Sequence, residues 1–242
     1  MTTKVALITG SARRIGAEIA RELHQAGLNI IIHYHRSEIE ARSLFETMEA
    51  IRPGSAKLAR LNLLETDKIT AFAEQVLQCY GRLDVLINNA SVFYPTIQAS
   101  PDQWDDLLGV NLKAPYFMSQ AFSPALAESG GNIVNICDVN AFKAKLNYEV
   151  YCIAKAGLVA LTKQQASRFA PLVRVNAVAP GLTIPPEGPA TVDPEEYTQM
   201  IARIPLKKTA TPADIARTVR FLALEAGHMT GQVLAVDGGR II

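Results

Sequence analysis

Apolar residues follow two alternating rhythms along the chain. Short, mostly apolar runs recur at 4–9 (KVALIT), 29–34 (NIIIHY), 56–61, 84–88 (DVLIN), 131–137 (GNIVNIC), 173–178 (VRVNAV) and 232–236 (QVLAV). Each reads as a strand. Between them the period lengthens to that of a helix. Ile15, Ile19, Ala20, Leu23 and Ala26 recur at helical spacing, and Gly27 closes that helix. Ser37 and Glu40 form a capping-box pattern that starts a second helix running toward Ile51. Pro53-Gly54 makes a turn, and further helices are predicted over 67–80, 102–128, 148–168 and 212–224.

Seven strands separated by helical segments are the pattern of a parallel, doubly wound α/β sheet with helices on both faces. The inner runs are apolar almost throughout, as strands covered on both faces must be. No linker or repeat interrupts the order, so one domain over 1–242 is expected. Residues 182–198 break the rhythm with Pro185, Pro186, Gly188, Pro189 and Pro194 and read as a loop rather than an element. Ligands of such sheets sit outside the carboxyl ends of the strands, which makes this stretch a candidate substrate loop or lid.

Composition narrows the picture. The 242 residues carry 24 Lys+Arg against 23 Asp+Glu, a formal net charge of +1. That balance argues against a general nucleic-acid binder, which needs a basic surplus on one face. With 49% hydrophobic residues, disorder is excluded as well. Cys79, Cys137 and Cys152 are odd in number and form no C-x-x-C pair, which excludes a disulfide scaffold. The four histidines show no metal-ligand spacing, so no metal is expected. Met1-Thr2-Thr3-Lys4 runs straight into the first strand, and no stretch approaches the ~18 apolar residues of a membrane span. The expectation is a soluble, cytoplasmic protein with no membrane partner.

The first strand–helix junction, Thr9-Gly10-Ser11-Ala12-Arg13-Arg14-Ile15-Gly16, suits a diphosphate. Gly10 permits a tight turn, Gly16 permits close helix packing, and the helix start offers N–H groups and a positive dipole end. Arg14 stands where the related fingerprint T-G-x-x-x-G-x-G has its second glycine; a guanidinium there could hold phosphate, substrate or both. Twenty residues past Gly16, where a cofactor without a 2′-phosphate wants an acid, the chain reads His33-Tyr34-His35-Arg36-Ser37. His35, Arg36 and Ser37 can hydrogen-bond a phosphate, which selects NADPH over NADH. Tyr151 and Lys155 are four apart on one helix and share a face. An ammonium beside a phenol, together with an oxidised nicotinamide, favours the phenolate and is expected to lower the tyrosine pKa from ~10. Tyr151 would then serve as proton donor, tuned by Lys155.

With TGSARRIG (9–16), NNAS (88–91), VNLKAP (110–115), YCIAK (151–155), VNAVAPG (175–181) and VDGG (236–239) in place, the chain resembles the short-chain dehydrogenase/reductase family over nearly its whole length. The resemblance implies a single Rossmann-type domain, a nicotinamide cofactor and a homotetramer. It places the cofactor on Gly10, Arg14, Ile15 and Gly16, then on Tyr34, His35, Arg36 and Ser37. Asn62 and Leu63 stand near the adenine. Asn89, Ala90, Ser91, Tyr151, Lys155, Pro180, Gly181 and Thr183 complete that set. Asn111 would order a water-linked proton path through Lys155.

Two departures carry further information. The family usually places a carbonyl-binding serine 13 residues before the tyrosine; here that residue is Asp138. An ionised carboxylate repels a carbonyl dipole but suits a substrate N–H, or a proton relay to a ring nitrogen. The second is Val92-Phe93-Tyr94-Pro95 after NNAS, which puts an aromatic where a flat substrate could stack. With Arg14, HYHRS and Tyr148, these features resemble the pteridine reductases. That resemblance implies Asp138, Tyr151 and Lys155 as the catalytic trio, and Phe93 sandwiching a pterin against the nicotinamide. Arg14, Ser91, Tyr148 and Leu182 would line the substrate pocket. The expected substrate is a 7,8-dihydropterin such as dihydrobiopterin or dihydromonapterin, with dihydrofolate or oxidised pterins as extras. Rival readings are a reductase of 3-oxoacyl thioesters or another small ketone, and a non-catalytic module that senses NADPH.

Overall fold

The computed structural model describes residues 2–185 and 187–242; Met1 and Pro186, both named above, lie outside the described residues. Seven strands form one sheet: β1 (Val5–Ile8), β2 (Asn29–Tyr34), β3 (Ala56–Arg60), β4 (Val85–Asn88), β5 (Asn132–Ile136), β6 (Arg174–Pro180) and β7 (Val233–Val236). All pairings are parallel, and the order is β3-β2-β1-β4-β5-β6-β7. β1 is the hinge of that order. β2 and β3 lie to one side of it and β4 to β7 to the other, so a crevice opens beyond the carboxyl ends of β1 and β4.

The helices are α1 (Arg14–Gln25), α2 (Glu38–Ile51), α3 (Ile69–Tyr80), α4 (Pro101–Leu108), α5 (Ala114–Ser129), α6 (Glu149–Phe169), α7 (Pro194–Ala202) and α8 (Pro212–Leu224). Successive side chains of a strand point to opposite faces, and β1 shows the consequence. Ala6 and Ile8 join a core with Ile19, Leu23, Met48, Val219 and Leu222 from α1, α2 and α8. Val5 and Leu7 join a second core with Phe72, Met118 and Phe122 from α3 and α5. The sheet is therefore buried on both faces, as its apolar strands require.

Several boundaries differ from the sequence pattern. β1 stops at Ile8 because Thr9 already turns, its N–H donating to Ile87 O at 3.0 Å. β6 runs on to Pro180, a last-position proline that needs no N–H partner. The helix predicted over 102–128 is interrupted by a π-helical turn at Gly109–Lys113 between α4 and α5. The expectation of a loop throughout 182–198 is corrected by α7. Asp193 Oδ1 accepts from Glu195 N at 2.8 Å, and Pro194 sits where a first-turn proline starts a helix. The Ser37 capping box is also corrected. Ser37 makes no capping hydrogen bond, and Glu40 Oε1 lies 3.6 Å from Arg13 Nη1 instead. Among the described residues no helix is long and apolar enough to cross a membrane.

Phe122 is 0% exposed and central to the α5 side of the core. Phe122→Ala should cost about 3–5 kcal/mol in chemical denaturation, through lost burial and the cavity left behind. A cost below about 1 kcal/mol would mean that α5 is not held by this contact.

Candidate active site

A cleft of about 740 Å³ opens at the β1/β4 crevice. Its nucleotide end is built by the turn after β1. Gly10 has φ +61, and a Cβ there would lie 2.9 Å from Ala90 Cα. A Cβ on Gly16 would lie 2.5 Å from both Asn89 Nδ2 and Gly10 O. Both positions exclude a side chain, so backbone can approach a ligand closely. The Thr9 hydroxyl donates to Ile87 O and accepts from the N–H groups of Asn89 (2.9 Å) and Ala90 (3.0 Å). Asn89 Nδ2 in turn donates to Thr9 O at 2.8 Å and Gly10 O at 3.1 Å. The loops after β1 and β4 are locked together by these bonds.

His33 was not among the residues singled out by pattern. It is 2% exposed, and its Nδ1 accepts from Gly10 N at 3.0 Å. The proton therefore sits on Nε2, which donates to Leu61 O at 3.2 Å. Burial pushes its pKa down to about 4, so the ring is neutral near pH 7. A period-2 strand pattern gives no hint of this, because an inward histidine there looks like any buried residue.

Arg14 occupies the glycine place of the fingerprint with φ +56. An L side chain enters this left-handed region at a cost of about 1–2 kcal/mol. Its Nη1 donates to Glu187 Oε1 at 2.8 Å, and its Nη2 to Pro185 O at 2.7 Å and Ile184 O at 3.4 Å. Arg13 also pairs with Glu187. The hydrogen bond and charge of Arg14, with those of Arg13, hold the Glu187 carboxyl below its usual pKa.

At the end of β2, Tyr34, His35, Arg36 and Ser37 line the cleft, as do Asn62 and Leu63 beside them. None of the described residues lining this end is an acid. Arg36 has no carboxylate within 4.0 Å among the described residues. Burial, then the charges of Arg36 and Arg60, keep His35 below the usual histidine pKa. The glycine cradle and the helix N-terminus fit the diphosphate of a dinucleotide. Ile15, Ala90, Pro180, Gly181 and Thr183 lie on the same wall.

The chemical end lies where β5 meets α6. Tyr151 and Lys155 are 5% and 2% exposed. Tyr151 Oη donates to Asp138 Oδ2 at 2.8 Å, and Asp138 Oδ1 accepts from Asn140 N at 2.7 Å. Asp138 thus both caps the turn at Val139–Ala141 and holds the phenol. Lys155 Nζ donates to Ile136 O at 3.0 Å and lies 5.7 Å from the Tyr151 ring centroid. In the protein alone the Tyr151 pKa shifts upward. Burial, reinforced by the Asp138 charge and hydrogen bond, raises it well above 10. Burial also raises Asp138, against the bonds from Asn140 and Tyr151, and lowers Lys155. Desolvation leads all three shifts and favours each neutral form.

Ser91, Phe93 and Leu182 line this end, together with Cys137, Lys145 and Arg240, which pattern had not marked. Two expected site residues do not reach the cleft wall. Asn111 is fully buried within the π turn. Its Nδ2 donates to Leu107 O and Val92 O, both at 2.9 Å, and its Oδ1 accepts from Ser91 Oγ at 2.6 Å. Tyr148 is 8% exposed and stacks behind Phe93, with ring centroids 4.6 Å apart and planes at 18°. It backs Phe93 rather than lining the pocket. Phe93 also meets Tyr151 edge-on at 4.8 Å.

A buried phenol–carboxyl pair at the mouth of a dinucleotide cleft describes a proton-donating reductase. The family model described as enoyl-(acyl carrier protein) reductase matches residues 10–240. Pteridine reductase 1 of Leishmania tarentolae is 35% identical, over 98% of this chain and 96% of that protein. The 3-oxoacyl-[acyl-carrier-protein] reductase FabG of Staphylococcus aureus is also 35% identical, over 98% of each chain. The acetoacetyl-CoA reductase of an Acinetobacter species is 34% identical, over 98% of this chain and 97% of that protein. The chain is an oxidoreductase with a nicotinamide cofactor and a small-molecule substrate, and it belongs to the short-chain dehydrogenase/reductase family.

His33 generates a pH prediction. Its folded pKa of about 4 lies below the 6.5 of the unfolded chain, so its contribution is fully present above pH 6.5. As pH falls, the unfolded state gains a proton first, and the contribution is lost by about pH 4. The full loss from this group is about 3 kcal/mol. Denaturation free energies between pH 7 and 4 should fall more steeply in the wild type than in His33→Asn. Parallel curves would show that His33 titrates normally in the fold.

Proposed function

We propose that the chain is an NADPH-dependent pteridine reductase that reduces a 7,8-dihydropterin to the tetrahydro form. The observation that carries this reading is the buried Asp138 carboxyl, hydrogen-bonded to Tyr151 where a carbonyl-binding serine is usual. A carbonyl oxygen needs a donor at that point. A pterin ring, with its N–H and amino groups, is served by an acceptor. The preference for NADPH is supported by Arg36, His35 and Ser37 at the end of β2, where no acid repels a 2′-phosphate.

When bound, the dihydronicotinamide supplies a hydride to the electrophilic carbon of the ring C=N bond. Tyr151 keeps its proton at the phenolic oxygen, because burial and Asp138 raise its pKa, and gives that proton to the neighbouring ring nitrogen. Asp138 orients the phenol and faces the pterin N–H groups. Lys155, held by Ile136 O, would hold the cofactor ribose, and Asn111 would order a water-linked proton path through Lys155. Phe93, backed by Tyr148, orients the flat ring, while Ser91, Arg14 and Leu182 bound it. The described residues of the 182–198 stretch act as a lid over the substrate in the same reading. One domain, a homotetrameric assembly and a cytoplasmic setting belong to it as well.

A thioester reading is favoured by the equal identity to FabG and the 34% identity to an acetoacetyl-CoA reductase. NADPH oxidation with dihydrobiopterin beside acetoacetyl-CoA separates the two. Turnover of the pterin is expected; turnover of acetoacetyl-CoA alone would overturn the reading. Tyr151→Phe should lower kcat by roughly 10²–10⁴ while NADPH still quenches protein fluorescence. Asp138→Ser should damage pterin reduction; an undamaged variant would reduce Asp138 to a cap. Arg36→Glu should shift the NADPH/NADH preference on the order of 100-fold toward NADH. An unchanged ratio would refute the phosphate assignment.

A further inference from the structure

Lys145 lies between the Val139–Ala141 turn and α6, and its side chain lines the cleft. Its ammonium is 4.2 Å from the Tyr148 ring centroid and 4.9 Å from that of Phe93. Aromatic rings attract an ammonium but leave its strong N–H donors without an oxygen acceptor. Among the described residues neither Lys145 nor Arg240, which lines the same cleft, has a carboxylate within 4.0 Å. Asp138, the nearest acid in the chemistry, is already engaged by Tyr151 and Asn140. Burial keeps the Lys145 pKa below the usual lysine value, and Arg240 pushes the same way. Asp138, Cys152 and Glu196 oppose them. A partly buried cation without an anion is costly, and a ligand anion removes that cost.

Position decides what kind of anion fits. Phe93 meets Tyr151 edge-on at 4.8 Å and has the Lys145 ammonium at 4.9 Å. The ammonium thus stands one aromatic ring away from the proton donor. That is the reach of a substituent on a substrate ring whose reacting atoms lie at Tyr151. In the same reading the nucleotide's 2′-phosphate has its own cation at Arg36, at the end of β2.

We propose that Lys145, with Arg240, receives a carboxylate-bearing tail, so that the preferred dihydropterin is one carrying an acidic substituent rather than a neutral polyol. This rests on the pterin reading above. The test compares kcat/KM for dihydrofolate, whose tail ends in carboxylates, with that for dihydrobiopterin, whose tail is neutral. The dihydrofolate-to-dihydrobiopterin ratio should fall about tenfold in Lys145→Met, which keeps the apolar stem, and recover in Lys145→Arg. An unchanged ratio in a Lys145→Met protein that melts like wild type would overturn the proposal. Should that variant fail to fold, the wild type decides. Its ratio should fall as sodium chloride is raised, because salt screens a partly exposed ion pair, and a salt-independent ratio would overturn the assignment. Failure of the wild type on both pterins, with acetoacetyl-CoA reduced, would instead bring down the pterin reading itself and this inference with it.

Discussion

The Thr9 hydroxyl is the point on which the cleft depends. One oxygen donates to the last residues of β4 and accepts two N–H groups from the loop that follows. Without it, the Ala90 N–H would lose its partner, at about 1–3 kcal/mol, and the Asn89 N–H would keep only Ile87 O at 3.1 Å. The bond does more than satisfy them. It fixes the loop carrying Ser91 and Phe93 against the turn carrying Gly10 and Arg14. The close approach of Gly10 to Ala90 and of Gly16 to Asn89 is possible only because those two loops are held in this register. His33 completes the brace from β2 by accepting the Gly10 N–H. Three strands thus converge on one turn, and the phosphate-binding geometry is rigid before any ligand arrives.

At the other end, burial governs. Tyr151, Asp138 and Lys155 are each removed from water, and each is biased toward its neutral form. In water a carboxylic acid beside a phenol would be ionised at neutral pH and the phenol would be an indifferent donor. Here the carboxyl resists ionisation and the phenol holds its proton firmly. A lysine beside the phenol does not by itself produce a phenolate, because the same burial weakens the ammonium that would stabilise it. Burial, reinforced at Tyr151 by the Asp138 charge and hydrogen bond, sets the resting state.

Most of the fold was legible in the sequence because its strands are buried on both faces and its helices on one. Those two periods rarely imitate each other over several residues. The misreadings have specific causes. Four prolines and a glycine made 182–198 look irregular, yet Asp193-Pro194-Glu195-Glu196 is a helix start, with a cap, a first-turn proline and acids at the positive end. The π turn at Asn111 leaves no periodic mark because it shifts the helix face by a single residue. Apart from Asn111, buried in the π turn, the site residues marked by a motif line the cleft. Tyr148 was misplaced because a resemblance says which residues gather but not which ring stands in front. His33 was missed because its contact, the Gly10 N–H, is distant in sequence.

Arg14 and Asp138 show what distinguishes this cleft on a shared scaffold. Each puts a charged or ionisable group where the family pattern has a small neutral residue. Each also carries a cost, backbone strain at φ +56 for Arg14 and desolvation for Asp138. Neither cost is needed for the fold, because a glycine would relax the first position and a serine could cap the turn after β5 at the second. A group kept at such expense has to be repaid by a ligand that uses it. In the proposed pterin reading, the Asp138 carboxyl serves the N–H groups of the ring, and the Arg14 guanidinium, already bonded to Glu187, bounds it. The same reasoning extends to Lys145, whose ammonium rests on aromatic faces without an oxygen partner. Where several neighbouring groups on one cleft are costly alone and compatible together, the shape of their complement is the substrate.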